Sequence, residues 1–316
     1  MFLTKCYNPV VSPKRPKVEP IRNPTLFEID KLDDAGRLAN SLHVERPYYE
    51  PGLLLGTSAF TAAGWEGSFY PAGMKPRDFL RYYATQFATV EVDSTFYGTP
   101  NPSTVTGWYE KTPPDFLFAL KVPQVVTHTK MLVDCEAEFD SFIDRMDLLN
   151  EKLGPLLLQF PRFGKYEMQA DEFSRRLRFF LNRAKNLPTC RFVVEIRNRP
   201  WLDKRFADLL REYNVALALT DTSFMPRPWE MKEKFDLVTT DFVYIRWLGD
   251  RHGIEEITRV WDRTVVDRTE DLRNWVEIFK TMLAAKTILK IFAFSNNHYG
   301  GNGPETIKVF WNLWKK

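Results

Sequence analysis

From Leu53 to the end of the chain, short apolar runs alternate with amphipathic stretches. Eight runs of six to nine residues, at 53–58, 89–94, 116–121, 155–160, 192–197, 215–221, 242–247 and 289–297, are rich in Leu, Val, Ile and Phe and are flanked by turn-forming residues. That pattern predicts strands. Apolar spacing of three and four residues predicts helices over 76–87, 138–154, 171–181, 203–214, 270–283 and 304–314, with Gly154 expected as the C-cap of the second. Strands that alternate with helices demand a largely parallel sheet with right-handed crossovers. Eight such units predict closure into a TIM-like (β/α)8 barrel, the fold class being α/β. An open doubly wound sheet would read similarly, but the turn after the first run, Gly56-Thr57-Ser58, begins no G-x-G-x-x-G, and no phosphate-binding P-loop occurs elsewhere.

Residues 1–50 show no apolar period. Seven of the 21 prolines fall by position 51, interleaved with Lys14, Arg15, Lys17 and Arg22. The expected organisation is an extended, proline-rich, basic N-terminal arm over 1–50 and one barrel domain over 51–316. Four cations among so many prolines make a weak phosphate-binding patch, so the arm is expected to lie on the domain surface rather than to grip nucleic acid.

Composition narrows the class. With 44% hydrophobic and 27% charged residues, the 316-residue chain is ordinary globular material. A net charge of +3 gives no whole-molecule field that would draw nucleic acid or a membrane surface. No run approaches the roughly 18 apolar residues of a membrane span, and the N-terminus lacks a signal-peptide core, so no membrane partner and a cytoplasmic location are expected. Three cysteines without C-x-x-C exclude a disulfide framework.

Side chains alternate along a strand, so parity sorts lumen from helix layer. It places Glu91, Asp93, Lys121, Gln159, Glu195, Arg197, Asp221, Tyr244 and Arg246 inward, nearly all at the last positions of their strands, which is the face where barrel enzymes carry their active sites. The expected function is an enzyme, of a hydrolase, lyase or isomerase kind, acting on an anionic sugar or nucleotide-like ligand at this mouth. Glu195 or Asp221 is the candidate base and His128 a mouth-lining acid or hydrogen-bond donor. Lys121, Arg197 and Arg246 are the candidate anion clamp, with Tyr97, Gln159, Trp201, Tyr244, Asn296 and Asn297 as further binding residues. If Lys121 and Arg246 exist for a ligand, replacing either by Met should leave the unliganded protein about as stable as before. Glu91 or Asp93 with Glu195 or Asp221 could also form a glycosidase pair. The rival class is a non-catalytic module that binds nucleic acid or a phospholigand without turnover. No histidine or cysteine spacing supports a zinc site; no cofactor is expected, and a weakly held Mg2+ or Mn2+ on Glu195, Asp221 and an Asn carbonyl is the open alternative.

Several segments together resemble one family: GTSAFTAAGWEGSFYP (56–71), YYATQFATVEVDSTFYGTP (82–100), KLGPLLLQFP (152–161), VEIRNRPW (194–201), FVYIRW-x-G (242–249) and NNHYGG-x-GP (296–304). They are similar, in order and over about 53–316, to the YecE-like family, a domain of unknown function. The resemblance implies a (β/α)8 barrel and no particular reaction. Residues that match its motifs include Glu91, Asp93, Thr95, Tyr97, Lys121, His128, Gln159, Glu195, Arg197, Trp201, Asp221, Tyr244, Arg246 and Asn297. Leu248, Arg162 and His298 depart from it, standing where many members carry histidine, proline and aspartate.

Overall fold

Each of the eight apolar runs forms a strand in the computed structural model, which describes residues 46–187, 189–231, 234–285 and 287–316. The strands are β1 (Leu53–Thr57), β2 (Thr89–Val92), β3 (Leu117–Lys121), β4 (Leu153–Gln159), β5 (Phe192–Glu195), β6 (Ala216–Thr222), β7 (Phe242–Gly249) and β8 (Lys290–Ser295). They pair in parallel in the order β1-β8-β7-β6-β5-β4-β3-β2. Helices follow the strands: α1 (Pro76–Gln86), α2 (Pro102–Lys111), α3 (Glu136–Met146), α4 (Ala170–Ala184), α5 (Lys204–Glu212), the short α6 (Pro228–Met231), α7 (Arg251–Ile257), α8 (Thr269–Ala284), α9 (Asn297–Gly300) and α10 (Gly303–Trp314). The fold is the TIM-like barrel that the pattern predicts.

Two apolar layers hold it. Outward residues such as Val90, Phe118, Leu158, Val194, Leu217 and Ile245 pack on the helices, while Leu54, Leu117, Leu157, Val193, Tyr244, Phe292 and Phe294 fill the lumen. Large rings from β7 and β8 are matched by small Ala119, Ala216 and Ala218 on β3 and β6, which keeps the lumen packed rather than hollow.

The barrel closes between β1 and β2 without a ladder. Here the Tyr83 hydroxyl of α1 accepts the Thr57 amide at 2.8 Å and donates to the Thr89 carbonyl at 3.2 Å, so a side chain replaces the missing backbone bonds. Gly56 permits the approach: a Cβ there would lie 2.2 Å from the Thr89 carbonyl oxygen.

Two boundaries differ from expectation. Gly154 is not a C-cap but the second residue of β4, where a Cβ would meet the Phe118 carbonyl at 2.7 Å. Helix α3 ends earlier, and the chain turns through a 3-10 segment in which Asn150 takes a left-handed φ of 47°. Residues 46–50, expected in the arm, belong to the folded body. The Arg46 guanidinium is buried, donating to the Ala84 carbonyl and forking onto Asp115 at 2.6 and 2.8 Å, and Tyr48 stacks on Phe87. The rest of the expected arm lies outside the described residues.

Candidate functional site at the barrel mouth

Five strands carry a charged or amide group near the C-terminal end of the inward row: Glu91 on β2, Lys121 on β3, Gln159 on β4, Glu195 on β5 and Arg246 on β7. Arg246 is the hub. Its Nε donates to Glu91 at 2.8 Å, Nη2 to Glu91 at 2.7 Å and to Asp93 at 3.3 Å, and Nη1 to Glu195 at 2.6 Å. Tyr244, two residues earlier on β7, donates at 2.6 Å to Glu91 Oε2, the oxygen that also accepts from Arg246 Nε. With Glu91 0%, Glu195 1% and Arg246 2% exposed, these charges survive burial only because they neutralise one another.

The two carboxylates respond in opposite directions. Burial pushes the Glu91 carboxyl up, against the pull of Arg246. Burial opposes ionisation at Glu195 as well, but Arg246 and Arg197 outweigh it and hold that carboxyl at about 2. Glu195 is therefore a carboxylate at neutral pH, and Arg197 Nε donates to its outer oxygen at 3.0 Å.

Lys121 and Arg197 lie nearer solvent than Arg246. Among the described residues Lys121 Nζ has no hydrogen-bond partner; Asp93 Oδ1 is 3.9 Å away, and the Phe96 ring centre lies 4.1 Å beneath the amine. Arg197 spends Nε on Glu195, and its two Nη groups find no acceptor among the described residues. A 3-10 turn, Asp93–Phe96, places Asp93 and Phe96 around Lys121, and the Thr95 hydroxyl ties that turn to the Lys121 carbonyl at 2.7 Å.

His128 sits on a π turn, Val125–Thr129, that follows β3. Its Nδ1 is 2.9 Å from Thr127 Oγ1, and its ring meets Phe96 edge-on at 4.9 Å. Burial, then the charges of Lys121 and Arg197, lower its pKa to about 4. At neutral pH it is an uncharged imidazole.

Residues 54–316 match the sequence profile of the family described as "Protein of unknown function DUF72". The chain belongs to that family. The UPF0759 protein YecE of Escherichia coli strain K12 is 37% identical over 92 residues, which is 29% of this chain and 34% of YecE. YunF of Bacillus subtilis strain 168 is 27% identical over 151 residues, 45% of this chain and 51% of YunF. The chain thus aligns with between a third and a half of these curated relatives' length. A DUF72 family protein of Thermotoga maritima MSB8 superposes with a TM-score of 0.63 at 25% identity, covering 84% of this chain and 99% of its own. Another from Enterococcus faecalis V583, at 19% identity and a TM-score of 0.61, covers 84% of this chain and 96% of its own and agrees in fold.

The DUF72 barrel brings Glu91, Asp93, Lys121, His128, Glu195, Arg197, Tyr244 and Arg246 together. Gln159 reaches the same level, its amide turned back onto the Phe160 carbonyl at 2.5 Å. Asp221 is elsewhere: the inward residues of β6 include Ala216 and Ala218, and Asp221 shares the outward row of Leu217 and Leu219. There it accepts from Trp275 Nε1 at 2.9 Å, Tyr299 Oη at 2.8 Å and Arg227 Nε at 2.9 Å, bracing α8 and α9 against β6. The donor set of Glu195, Asp221 and an Asn carbonyl is consequently not assembled, and the glycosidase pairings through Asp221 fall with it. Asn296 caps α9 through His298 N and reaches Ser58, while Asn297 Oδ1 accepts from Trp65 Nε1 and Gly303 N. Both amides brace loops. Trp201 stacks on Phe163 beyond β5, and Tyr97 is 78% exposed, its ring edge-on to Phe96. Among the described residues no three His, Cys, Asp or Glu form a metal-holding group. No helix among them is long and apolar enough to cross a membrane.

Phe96, missed in the sequence, belongs to the site through its contacts with Lys121 and His128. Its only signal is its place in the D-S-T-F-Y segment directly after β2.

Proposed function

We propose that this DUF72 protein is an enzyme that binds an anionic small molecule, a phosphorylated or carboxylated sugar or a nucleotide-like ligand, at the C-terminal mouth of its barrel. The observation that carries the reading is the unspent bonding capacity of Arg197 and Lys121 beside an ionised Glu195 and a neutral His128. Arg197 offers the planar fork that grips a phosphate or carboxylate, and the Lys121 amine adds a hydrogen-bond donor deeper in the lumen. Glu195 supplies a proton acceptor and His128 a neutral hydrogen-bonding group, while Arg246 holds Glu195 in place rather than touching ligand. Phosphate should raise the melting temperature of the protein. At 100 times its dissociation constant an anion adds about 2.7 kcal/mol to the state that binds it. Arg197→Met should abolish that protection, and equal protection of wild type and variant would defeat the reading. A turnover screen of sugar phosphates separates an enzyme from a binding module, which saturates without product.

A further inference from the structure

The amine of Lys121 is placed for a reaction, not only for charge. A lysine ammonium carries three donors, and at 9% exposure this one finds no acceptor among the described residues within hydrogen-bond distance. Its nearest carboxylate oxygen, Asp93 Oδ1, already accepts from Arg246 Nη2. The Phe96 ring covers one side, and the arginine hub adds a second positive charge nearby. Burial beside another cation favours the free base, the form with a nucleophilic lone pair, while the face of the Phe96 ring attracts the ammonium and fixes where the nitrogen sits. Burial lowers the Lys121 pKa, helped by Arg246 and opposed by Asp93, Glu195 and Glu91.

Resting on the mouth as the ligand site, we propose that Lys121 is a nucleophile that forms an imine with an aldehyde or ketone substrate whose anionic group is held by Arg197. The nitrogen lone pair makes the C–N bond while the carbonyl π pair moves to oxygen. Asp93 takes a proton from the nitrogen and returns it to that oxygen, giving a carbinolamine. The hydroxyl then leaves with the second nitrogen proton as water, and the C=N bond forms. One amine and one carbonyl give one imine and one water, with no oxidant or reductant. Phe96 and the Thr95 hydroxyl are positioning residues, since they hold the amine and the Asp93 turn in register.

Borohydride trapping tests this on the full-length protein. Glyceraldehyde 3-phosphate serves as the anionic probe and glycolaldehyde as the uncharged one, with peptide mapping by mass spectrometry to locate the reduced adduct. Lys121 is expected to be labelled at least about tenfold faster than any other lysine, as an activated amine should be. Lys121→Arg, which keeps a long basic side chain without a nucleophilic amine, should lose that adduct. Arg197→Met should slow trapping of the phosphorylated probe and spare that of glycolaldehyde. Adducts spread over surface lysines with Lys121 no faster would overturn the proposal. The melting assay with phosphate separates the two readings. Protection without a Lys121 adduct leaves anion binding standing and removes the imine, whereas an adduct without protection does the reverse.

Discussion

Arg246 and Lys121 are both basic side chains in the same lumen, and the structure gives them opposite energetic roles. Arg246→Met would leave Glu91 buried with only the Tyr244 hydroxyl and Glu195 with Arg197 alone, which should cost about 3–5 kcal/mol in urea denaturation. Lys121→Met removes no side-chain hydrogen bond among the described residues and should stay within about 1 kcal/mol of wild type. Sequence alone treats both as ligand clamps, because parity finds the lumen but says nothing about which donors are already used. The site also sets an acid response. His128 has a folded pKa of about 4 against 6.5 ordinarily, so the unfolded chain binds a proton first and stability falls as the pH drops from 6.5 to 4. Glu195, at about 2 against 4.5, adds a second loss between 4.5 and 2, while the raised Glu91 works in the opposite sense. His128→Gln should flatten part of the upper leg in denaturation curves measured across that range and leave the lower leg. His298, also lowered by burial, keeps the remainder.

All eight strands were legible because an α/β barrel writes each one as a short apolar run between helical periods. Parity then placed the inward rows of β2, β3, β4, β5 and β7. It failed at β6, where Ala216–Leu219 is apolar on both faces and periodicity carries no sign. Residue size was the usable clue: Ala faces the crowded lumen and Leu the helices, which sends Asp221 outward. Gly154 misled for a related reason, since a glycine that permits close strand approach looks in sequence like one that ends a helix. The seam at Tyr83 left no sequence signal, because its hydroxyl stands in for backbone bonds that the pattern assumes. Tyr83→Phe should strand the buried Thr57 amide and cost about 1–3 kcal/mol, readable as a lower urea midpoint with an unchanged slope.

At the level of the molecule, the barrel depends on short segments that the strand-helix repeat does not announce. Residues 46–50 read as arm because Arg46 and Tyr48 belong to no period, yet they lie against Ala84, Phe87 and Asp115. A chain that starts at Gly52 should therefore melt below one that starts at Arg46, by at least about 2 kcal/mol for the buried charge-assisted bonds alone. The arginine hub has a comparable reach. β2 has a ladder on one side only, and Arg246 grips its Glu91 from β7 across the lumen. The weakest joint of the wall is thus tied by a strut whose tension depends on charge. Whatever draws Arg246 from Glu91 slackens the strut, and the loosening falls on the β1–β2 joint rather than uniformly around the circumference.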